Sequence, residues 1–341
     1  MLPEARRWCV GKDRASSCVA LPGSSARESF STNVSTIKAR ALRPGDKIGI
    51  IAPASNIKRE LLETGAARLR AMGYEPVYSA DILSTDLYFA GPLERRLREF
   101  DDMLERDDIA ALLCARGGYG SNYLLEWLDF ERIRQHPKII MGYSDNTSLL
   151  TAITDRTGLI TFHGPMITKD FASPEGVELS SWSSAISAAA AWSIPATGVE
   201  VLREGSAQGC LYGGCLSMLV ASLGTPFEIQ TTDTLLFLED IAAKPYQIDR
   251  MLMQLRLAGK LDRVRGIIFG EMLDCIQPGG QDYTLQQIIL RVLERYDLPI
   301  VYGLKSGHVS GSNITLPLGV QAELKASGDI AELTILESAT I

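Results

Sequence analysis

The sequence predicts an α/β protein of two domains: an N-terminal domain with a mostly parallel sheet and flanking helices, and a C-terminal α/β domain with a β-rich end. The first observation is length, because 341 residues exceed the usual size of a single domain. The second is the alternation of short apolar runs with stretches of helical period, which is typical of βαβ units. The third is a composition of 46% hydrophobic and 22% charged residues, ordinary for a globular protein.

Three strand–helix units are predicted in the N-terminal domain, residues 41–166. The segment "KIGIIAPAS" is a strand, and the stretch after it places Leu62, Ala66 and Leu69 on one helical face. The segments "DIAALLCARGGYGSN" and "KIIMGYSDNTSLLTAI" repeat the arrangement, the first with a helix that contains Leu124, Leu125 and Leu128. Successive units of this kind predict a parallel sheet that is covered on both faces.

Residues 167–207 are rich in Ser, Ala and Gly and are predicted to be a linker that contains a helix. The C-terminal domain follows over residues 208–341. Its predicted strands lie in "DTLLFLED", "GIIFGEM" and "LPIVYGL", and its predicted helices run from near Pro245 to just before Gly259 and over residues 284–295. The final segment, "ITLPLGVQAELKASGDIAELTILES", predicts two strands that are joined at Ala326-Ser327-Gly328.

Charge and hydropathy argue against two classes of partner. The net charge is −7, and no cluster of Lys and Arg is interleaved with aromatic residues, so nucleic acid is not expected as a partner. No apolar run approaches the ~18 residues that would indicate a membrane span, so we expect a soluble protein with no membrane partner.

The first 40 residues are predicted to be a disordered extension rather than a signal peptide, because Asp13 and Arg14 interrupt any apolar segment. The six cysteines are spread over the whole chain and do not resemble a disulfide framework. Together these features favour the reducing cytoplasm as the location of the protein.

Histidine is scarce, so a histidine base would be one of only three residues. His136 lies in a polar turn and is interpreted as a solvated residue. His163 ends an apolar run, where a core histidine with satisfied hydrogen bonds is the first interpretation and a substrate contact the alternative. His308 lies in the glycine- and serine-rich loop "GLKSGHVSGSN" after a predicted strand, where open α/β sheets place functional groups.

Ser144 lies between the strand and the helix of the third unit, so a sharp turn there would expose its hydroxyl above the sheet. This is the arrangement of a nucleophile elbow, in which the backbone N–H of Asp145 would face a developing oxyanion. The string from Gly142 to Asn146 lacks the second glycine of the G-x-S-x-G pattern. The alternative is therefore that Ser144 or Asp145 caps the following helix.

An acidic pair, Glu239 and Asp240, follows a predicted strand that is otherwise apolar. A carboxylate at this place can hold an imidazole in the required tautomer, and either residue could instead cap the next helix or pair with Lys244. The chain order Ser144, Glu239, His308 is that of nucleophile, acid and base in α/β-hydrolases, although the same chemistry occurs in other orders.

The glycine-rich segment "ARGGYGSN" matches neither a dinucleotide-binding nor a phosphate-binding loop, because it lacks the last glycine of G-x-G-x-x-G and the G-K-[ST] ending. A turn of this composition can supply an oxyanion donor or can simply be tight. A metal is not expected, because there is no H-E-x-x-H motif and the pair Cys210 and Cys215 has no histidine nearby in the sequence.

Eight segments in one order resemble the LD-carboxypeptidases, a family of serine peptidases that includes muramoyl-tetrapeptide carboxypeptidases and microcin C immunity peptidases. The resemblance covers residues 46–325. The segments are "IAPAS" (51–55), "ARGGYGS" (115–121), "GYSDNT" (142–147), "TFHGPM" (161–166), "GCLYGGCLSML" (209–219), "LFLEDI" (236–241), "RMLMQLRLAG" (250–259) and "GHVSGSNITLPLG" (307–319).

This resemblance implies that Ser144 is the nucleophile, that Glu239 orients the base, and that His308 is the base. It also implies an oxyanion hole formed by the backbone of Asp145 and of a glycine in the preceding glycine-rich turn, Gly117 or Gly118. A homodimer of two-domain chains is the expected assembly, and no cofactor is expected.

The reaction that the resemblance implies is release of the terminal D-alanine from a murein tetrapeptide at an L,D bond, through an acyl-enzyme, during cell-wall recycling in the cytoplasm. Arg116 or Lys305 is the candidate to bind the free carboxylate of the substrate. Two alternatives stay open. One is hydrolysis of peptidyl or acyl-sulfamoyl nucleotides, with Trp182 or Trp192 stacking on a base. The other is binding of muropeptides without catalysis.

Overall fold

A computed structural model of the chain describes residues 35–277, 279–280 and 282–341. Its strands are β1 (Lys47–Ile51), β2 (Glu75–Val77), β3 (Ile109–Cys114), β4 (Ile139–Gly142), β5 (Thr161–His163), β6 (Trp192–Ile194), β7 (Glu200–Arg203), β8 (Gly205–Cys215), β9 (Thr234–Glu239), β10 (Gly266–Gly270), β11 (Ile300–Leu304), β12 (Leu316–Leu318), β13 (Val320–Ser327) and β14 (Ile330–Ile335). Its α-helices are α1 (Arg59–Ala71), α2 (Leu93–Glu105), α3 (Phe130–Gln135), α4 (Thr147–Thr157), α5 (Leu179–Ile186), α6 (Leu216–Ala221), α7 (Pro245–Leu257) and α8 (Leu285–Val292). Among these helices, none is both long and apolar enough to cross a membrane.

The N-terminal sheet has the strand order β12-β5-β4-β3-β1-β2. Strands β1 to β5 are parallel, and β12 is antiparallel to β5 at the edge. Every residue of β3 and β4 is buried, as expected for parallel strands with helices on both faces. The predicted fold of the N-terminal half is confirmed, and the carboxyl ends of its parallel strands form one edge that can carry functional groups.

The second sheet has the order β6-β14-β13-β8-β9-β10-β11-β7. Its four strands from β8 to β11 are parallel, whereas the outer strands are antiparallel. The pairing of Ser327 with Ile330 closes the β13–β14 hairpin at the predicted place. One hydrophobic cluster contains Ile48 and Ile50 from the first sheet and Leu235 and Phe237 from the second, so the two halves share a core.

Strand β12 corrects the prediction of two continuous strands at the end of the chain. The first predicted strand is divided at Gly319, which has a φ of 99° that favours glycine. Residues before Gly319 pair with β5 in the first sheet, and residues after it pair with β8 in the second. A C-terminal segment therefore completes the N-terminal sheet, which periodicity within one segment does not indicate.

Two other predictions of local structure differ from the structure. The helix predicted through Leu124 and Leu128 is only a 3₁₀ turn, Ser121–Tyr123, followed by further turns, although both leucines are buried. The predicted linker, residues 167–207, contains the expected helix, α5, but also β6 and β7, which pair with β14 and β11. Both differences arise because burial against distant residues fixed the local conformation.

The predicted disordered extension lies mostly outside the described residues, but its last six residues are described and are ordered. The N–H of Ile37 donates to the carbonyl of Gly158 at 2.8 Å, and Lys38 forms an ion pair with Glu337 at 2.7 Å. Ala39 is buried in the core. The prediction of disorder is therefore wrong for residues 35–40, because backbone pairing and burial hold them against the folded chain.

Helix α4 and strand β8 are joined by a hydrogen bond in which the Tyr212 hydroxyl donates to Asp155 at 2.7 Å. Burial raises the pKa of Asp155 to about 7, despite the hydrogen bond from Tyr212 and the charges of Lys260 and Arg156, which act in the opposite direction. Between the unfolded value of 3.8 and about 7, the folded state binds more protons than the unfolded state. The free energy of unfolding therefore falls as the pH rises through this window.

The variant Asp155→Asn, which keeps an oxygen for Tyr212, should lose this pH dependence. We expect the wild type to lose on the order of 1–3 kcal/mol more of its free energy of unfolding than the variant between pH 5 and pH 8. Urea denaturation at both pH values measures the difference. Equal losses in the two proteins would contradict the expectation.

Candidate active site

Ser144 lies in a sharp turn at the end of β4, directly before α4. Its φ is 63°, in the left-handed region that non-glycine residues seldom adopt and that is frequent at functional turns. The 3₁₀ turn Ser144–Asn146 and α4 have no side-chain cap at their first positions. The alternative in which Ser144 or Asp145 caps the helix is therefore wrong, and the backbone has the strand–turn–helix form of a nucleophile elbow.

The glycine-rich turn around Gly117 packs against Ser144. A Cβ at Gly117 would lie 2.7 Å from Ser144 Cβ and 2.9 Å from its Oγ, so only glycine allows this approach. Within the described part of the chain, the N–H groups of Gly117, Gly118 and Asp145 have no hydrogen-bond acceptor. They are free to donate to an oxyanion beside Ser144.

Asp145 joins the glycine-rich turn to the turn of Ser144 by hydrogen bonds. Its Oδ2 accepts a hydrogen bond from the N–H of Ser121 at 2.8 Å, and its carbonyl accepts one from the Ser121 hydroxyl at 2.6 Å. Asn146 Nδ2 also donates to the carbonyl of Arg116 at 3.1 Å. These three bonds hold the candidate oxyanion donors in position.

Arg96 is a supporting residue that was not predicted from the sequence. Its side chain is buried, and Nη1 donates to the carbonyls of Pro53 and Gly120, each at 2.8 Å. The guanidinium therefore holds the far end of the glycine-rich turn. A buried arginine in the amphipathic pattern of α2 resembles an exposed one in sequence, so the pattern carries no signal for it.

Glu239 and His308 form a buried hydrogen-bonded pair. Glu239 ends β9 and is fully buried, and His308 follows β11 in the predicted loop. Oε2 of Glu239 accepts from the backbone N–H of His308 at 3.0 Å and lies 2.8 Å from its Nδ1. The pair needs glycine at 307, where φ is 90° and a Cβ would lie 2.6 Å from Glu239 Cδ.

Burial by itself would raise the pKa of Glu239, but the imidazoles of His163 and His308 outweigh it and lower the pKa to about 2. The carboxylate is therefore ionised at neutral pH. It accepts the Nδ1–H of His308, which leaves Nε2 of that ring able to take a proton. This is the orientation that a histidine base requires.

The two halves of the fold meet at this place. The ring of Tyr143, which precedes Ser144, contacts the His308 ring edge-on, with centroids 5.2 Å apart. The N–H of Cys215, at the end of β8, donates to the hydroxyl of Thr147 at 3.1 Å. Among the described residues, neither Ser144 Oγ nor His308 Nε2 has a hydrogen-bond partner, and catalytic hydrogen bonds often tighten only when substrate binds.

His163 is the other residue at the site whose role the sequence left open. It is fully buried at the end of β5, with Nε2 3.7 Å from Oε1 of Glu239 and Nδ1 3.0 Å from the Ser306 hydroxyl. The interpretation as a core histidine with satisfied hydrogen bonds is correct for its burial and wrong for the hydrogen bonds, because Nε2 has no partner among the described residues. Its contact with Glu239 was not predicted, although its place at a strand end is the signal that also identified Ser144 and Glu239.

The side chains of the remaining candidates, Arg116, Lys305 and Asp240, make contacts outside the Glu239–His308 pair. Arg116 is exposed and donates to the carbonyl of Asn56 at 3.1 Å. Lys305 lines a surface pocket with residues such as Glu178 and Ser312, and that pocket contains none of the three proposed catalytic residues. Asp240, the rival of Glu239, accepts hydrogen bonds from backbone N–H groups at the start of α6 and in its own loop. It has a structural role.

One set of side chains in the described residues could in principle hold a metal ion. Ligand atoms of Cys215, Glu239 and His308 lie within 4.8 Å of one another. Burial, together with the charges of Glu239 and Asp240, raises the pKa of the Cys215 thiol well above its usual value, whereas metal binding requires the thiolate. The other two ligands are hydrogen-bonded to each other, so these residues fit a metal poorly.

Comparisons with known proteins show the family to which the chain is similar. The chain matches the LD-carboxypeptidase N-terminal domain over residues 48–164 and the LD-carboxypeptidase C-terminal domain over residues 208–324. The probable murein peptide carboxypeptidase of Bacillus subtilis is 38% identical over 294 residues, covering 85% of this chain and 92% of the relative. The murein tetrapeptide carboxypeptidase of Pseudomonas aeruginosa is 29% identical, covering 82% and 94%.

A solved structure of the microcin C7 self-immunity protein MccF, in complex with glutamyl sulfamoyl guanosine, has a TM-score of 0.81 and 25% identity, covering 89% of this chain and 99% of that chain. The predicted family, its fold and a peptidase function are thus supported by sequence and by structure. Because both family domains match and a relative at 38% identity covers most of the chain, this protein belongs to the LD-carboxypeptidase family.

Proposed function

We propose that this protein is a serine L,D-carboxypeptidase that releases the terminal D-alanine from murein tetrapeptides through an acyl-enzyme. The observation that carries the proposal is the buried Glu239–His308 hydrogen bond of 2.8 Å beside the strained turn of Ser144. The names of two relatives, a murein peptide and a murein tetrapeptide carboxypeptidase, support this substrate class.

In the proposed mechanism, His308 Nε2 takes the proton of Ser144 as Oγ attacks the carbonyl carbon that precedes D-alanine. The N–H groups of Asp145 and of Gly117 or Gly118 stabilise the oxyanion. His308 then gives its proton to the amine of D-alanine, which leaves. Water, activated by His308, attacks the acyl-enzyme, and the shortened peptide leaves with Ser144 restored.

The test is incubation of the purified protein with a mixed muropeptide digest, followed by mass spectrometry. Loss of one alanine residue from tetrapeptides that end in D-alanine is expected, while matched synthetic peptides that end in L-alanine should stay intact. The Ser144→Ala variant is the control for contaminating peptidases. Unchanged tetrapeptides with the wild-type protein would contradict the proposal.

The second candidate is hydrolysis of peptidyl or acyl-sulfamoyl nucleotides, which the similarity to MccF supports. The predicted stacking residues are less favourable. Trp182 is 1% exposed and packs edge-on against Phe171, so it cannot stack on a base, and Trp192 is half-buried in β6. An assay that offers both substrate classes together shows which one the protein prefers. Faster cleavage of the peptidyl or acyl-sulfamoyl nucleotide than of the tetrapeptide would favour this candidate.

A muropeptide-binding protein without catalysis is the remaining alternative. Fluorophosphonate probes form a bond to an activated serine hydroxyl, so labelling of the wild type but not of Ser144→Ala supports the enzyme. A binder would leave Ser144 unmodified. Action in the cytoplasm during cell-wall recycling and assembly as a homodimer belong to the same proposal.

Gly117→Ala tests the close approach of the glycine-rich turn to the nucleophile. Because the new Cβ would lie within 3 Å of Ser144 Cβ and Oγ, the hydroxyl or the oxyanion donors must move. We expect kcat/KM for D-alanine release to fall about 10²-fold or more. Gly311→Ala is the matched control, since its Cβ would meet no atom of the described residues within 4 Å and activity should be kept. Equal activity in both variants would contradict this geometry.

A further inference from the structure

The two carboxylate oxygens of Glu239 each face a different imidazole. Oε2 takes both hydrogen bonds from His308, whereas Oε1 has no hydrogen-bond partner among the residues described and faces Nε2 of His163 at 3.7 Å. Both Glu239 and His163 are fully buried. In the described part of the chain, no Lys or Arg forms an ion pair with this carboxylate.

The position of one proton on His163 follows from its neighbour Ser306. The hydroxyl of Ser306 lies 2.8 Å from the carbonyl oxygen of Ile314, and a carbonyl can only accept. The single hydroxyl proton is therefore used there. Nδ1 of His163, 3.0 Å from the same Ser306 oxygen, must then be the donor. The Nδ1 atom of His163 carries a proton.

A neutral imidazole with its proton on Nδ1 would point the lone pair of Nε2 at a buried carboxylate oxygen. That arrangement leaves two buried acceptors facing each other and the charge of Glu239 without a counter-charge, which is costly. His308 cannot supply the counter-charge in the resting state, because a base must hold Nε2 unprotonated. A proton on His163 Nε2 removes both problems, because the ring then carries a positive charge that faces Oε1 at 3.7 Å as an ion pair.

We propose that His163 is an imidazolium in the resting enzyme and acts as the buried counter-charge of Glu239, so that the proposed catalytic chain has four members: Ser144, His308, Glu239 and His163. This inference rests on the proposed function for its catalytic meaning, but not for the protonation state itself. His163 is a positioning residue, since it acts on the reaction only through Glu239.

The positive charge has a consequence for the base. It offsets part of the attraction of Glu239 for a proton on His308, which leaves that ring free to act as the base. Other charged or titratable groups near the four proposed catalytic-chain residues include the thiols of Cys215 and Cys275 and the carboxylate of Asp240. Tyr143 is also close, with its hydroxyl against Asp170 and its ring against Lys169. Within the part of the chain that the structure describes, none of the groups adjoining Glu239 supplies a positive charge in place of His163.

The direct test is long-range ¹H–¹⁵N NMR of the full-length protein labelled with ¹⁵N-histidine. With only three histidines in the chain, the His136→Gln variant identifies the signals of the residue outside the site. At neutral pH, the His163 ring, identified as the signal that remains when His308 is also replaced by Gln, should show two protonated nitrogens, and the His308 ring should be a neutral tautomer. A charged His308 beside a neutral His163 would overturn the proposal. Two neutral rings would overturn the proposal, whatever the activity of the protein.

The variant Glu239→Gln tests whether the charge on His163 depends on the carboxylate. Removal of the negative charge should convert His163 to the neutral ring in the same spectra. A ring that stays doubly protonated in this variant would overturn the role of Glu239 as its partner. Neither measurement needs catalysis, so failure of the proposed function and failure of this inference give different results.

The kinetic test is His163→Gln, which keeps a neutral N–H group in reach of Glu239. The acid limb of the kcat/KM profile should move to higher pH, because the positive charge beside Glu239 is then gone. A purely structural role would lower kcat/KM at every pH without moving the limb, and that outcome would overturn the proposal.

Discussion

Replacing Ser144 or His308 by alanine is expected to lower the turnover of D-alanine release on the order of 10⁴- to 10⁶-fold, because the members of such a triad fail as a unit. Ser144→Ala removes the atom that would form the acyl-enzyme, and His308→Ala removes the acceptor of its proton. Single-turnover assays followed by mass spectrometry measure the loss, and substrate binding by calorimetry shows that each variant still folds and binds.

The double variant Ser144→Ala with His308→Ala tests whether the two residues act in one step. If Ser144 and His308 act in one step, the variant that lacks both should be no slower than either single variant, since the second change removes nothing that is still in use. Additive losses would indicate two independent functions. A single variant that keeps near-normal release of D-alanine would remove that residue from the mechanism.

Glu239→Gln is expected to lower kcat about 10³- to 10⁴-fold, because a neutral amide no longer stabilises the imidazolium of His308 or fixes its tautomer. The structure allows little compensation, since Oε2 accepts two hydrogen bonds from His308 and the residue is fully buried. Burial raises the pKa of Glu239, but the two imidazoles outweigh it and lower the pKa to about 2. The carboxylate therefore stays ionised over the pH range of a practical assay.

Asp240→Asn is the matched control for this prediction. Asp240 is the adjacent carboxylate, and its oxygens accept backbone N–H groups of Ser217 and Ile241 at 2.8 and 2.9 Å. Its loss should reduce stability by about 1–3 kcal/mol and change kcat per folded molecule by no more than roughly tenfold. A larger effect on kcat from Asp240→Asn than from Glu239→Gln would exchange the roles of the two acids.

The candidate catalytic residues were predictable because each lies at or just beyond the end of a buried apolar run. Ser144 follows β4, Glu239 ends β9 and His308 follows β11, and the carboxyl ends of parallel strands are where functional groups of α/β folds lie. His163 has the same signal at the end of β5, but because it ends an apolar run a core role was the first interpretation. Its contact with Glu239 required the structure.

Other features were not predictable from local pattern. The leucines after β3 have a helical spacing but lie in turns, since they are buried by neighbours from other segments. Arg96 has the chemistry of a surface residue and becomes a buried support only because Pro53 and Gly120 present their carbonyls to it. Charge and periodicity are properties of a residue and its local sequence, whereas these roles depend on residues that are close only in the folded structure.

The sequence by itself determined the succession of strands and helices, the strand-end positions of Ser144, Glu239 and His308, and the family resemblance. Only the tertiary structure decided that β12 leaves the second sheet for the first, and that one carboxylate lies between two imidazoles. The physical reason is how far apart in the sequence the interacting residues lie. Burial periodicity is set by neighbouring residues, whereas the Glu239–His308 contact joins positions 69 residues apart and depends on how the intervening chain packs.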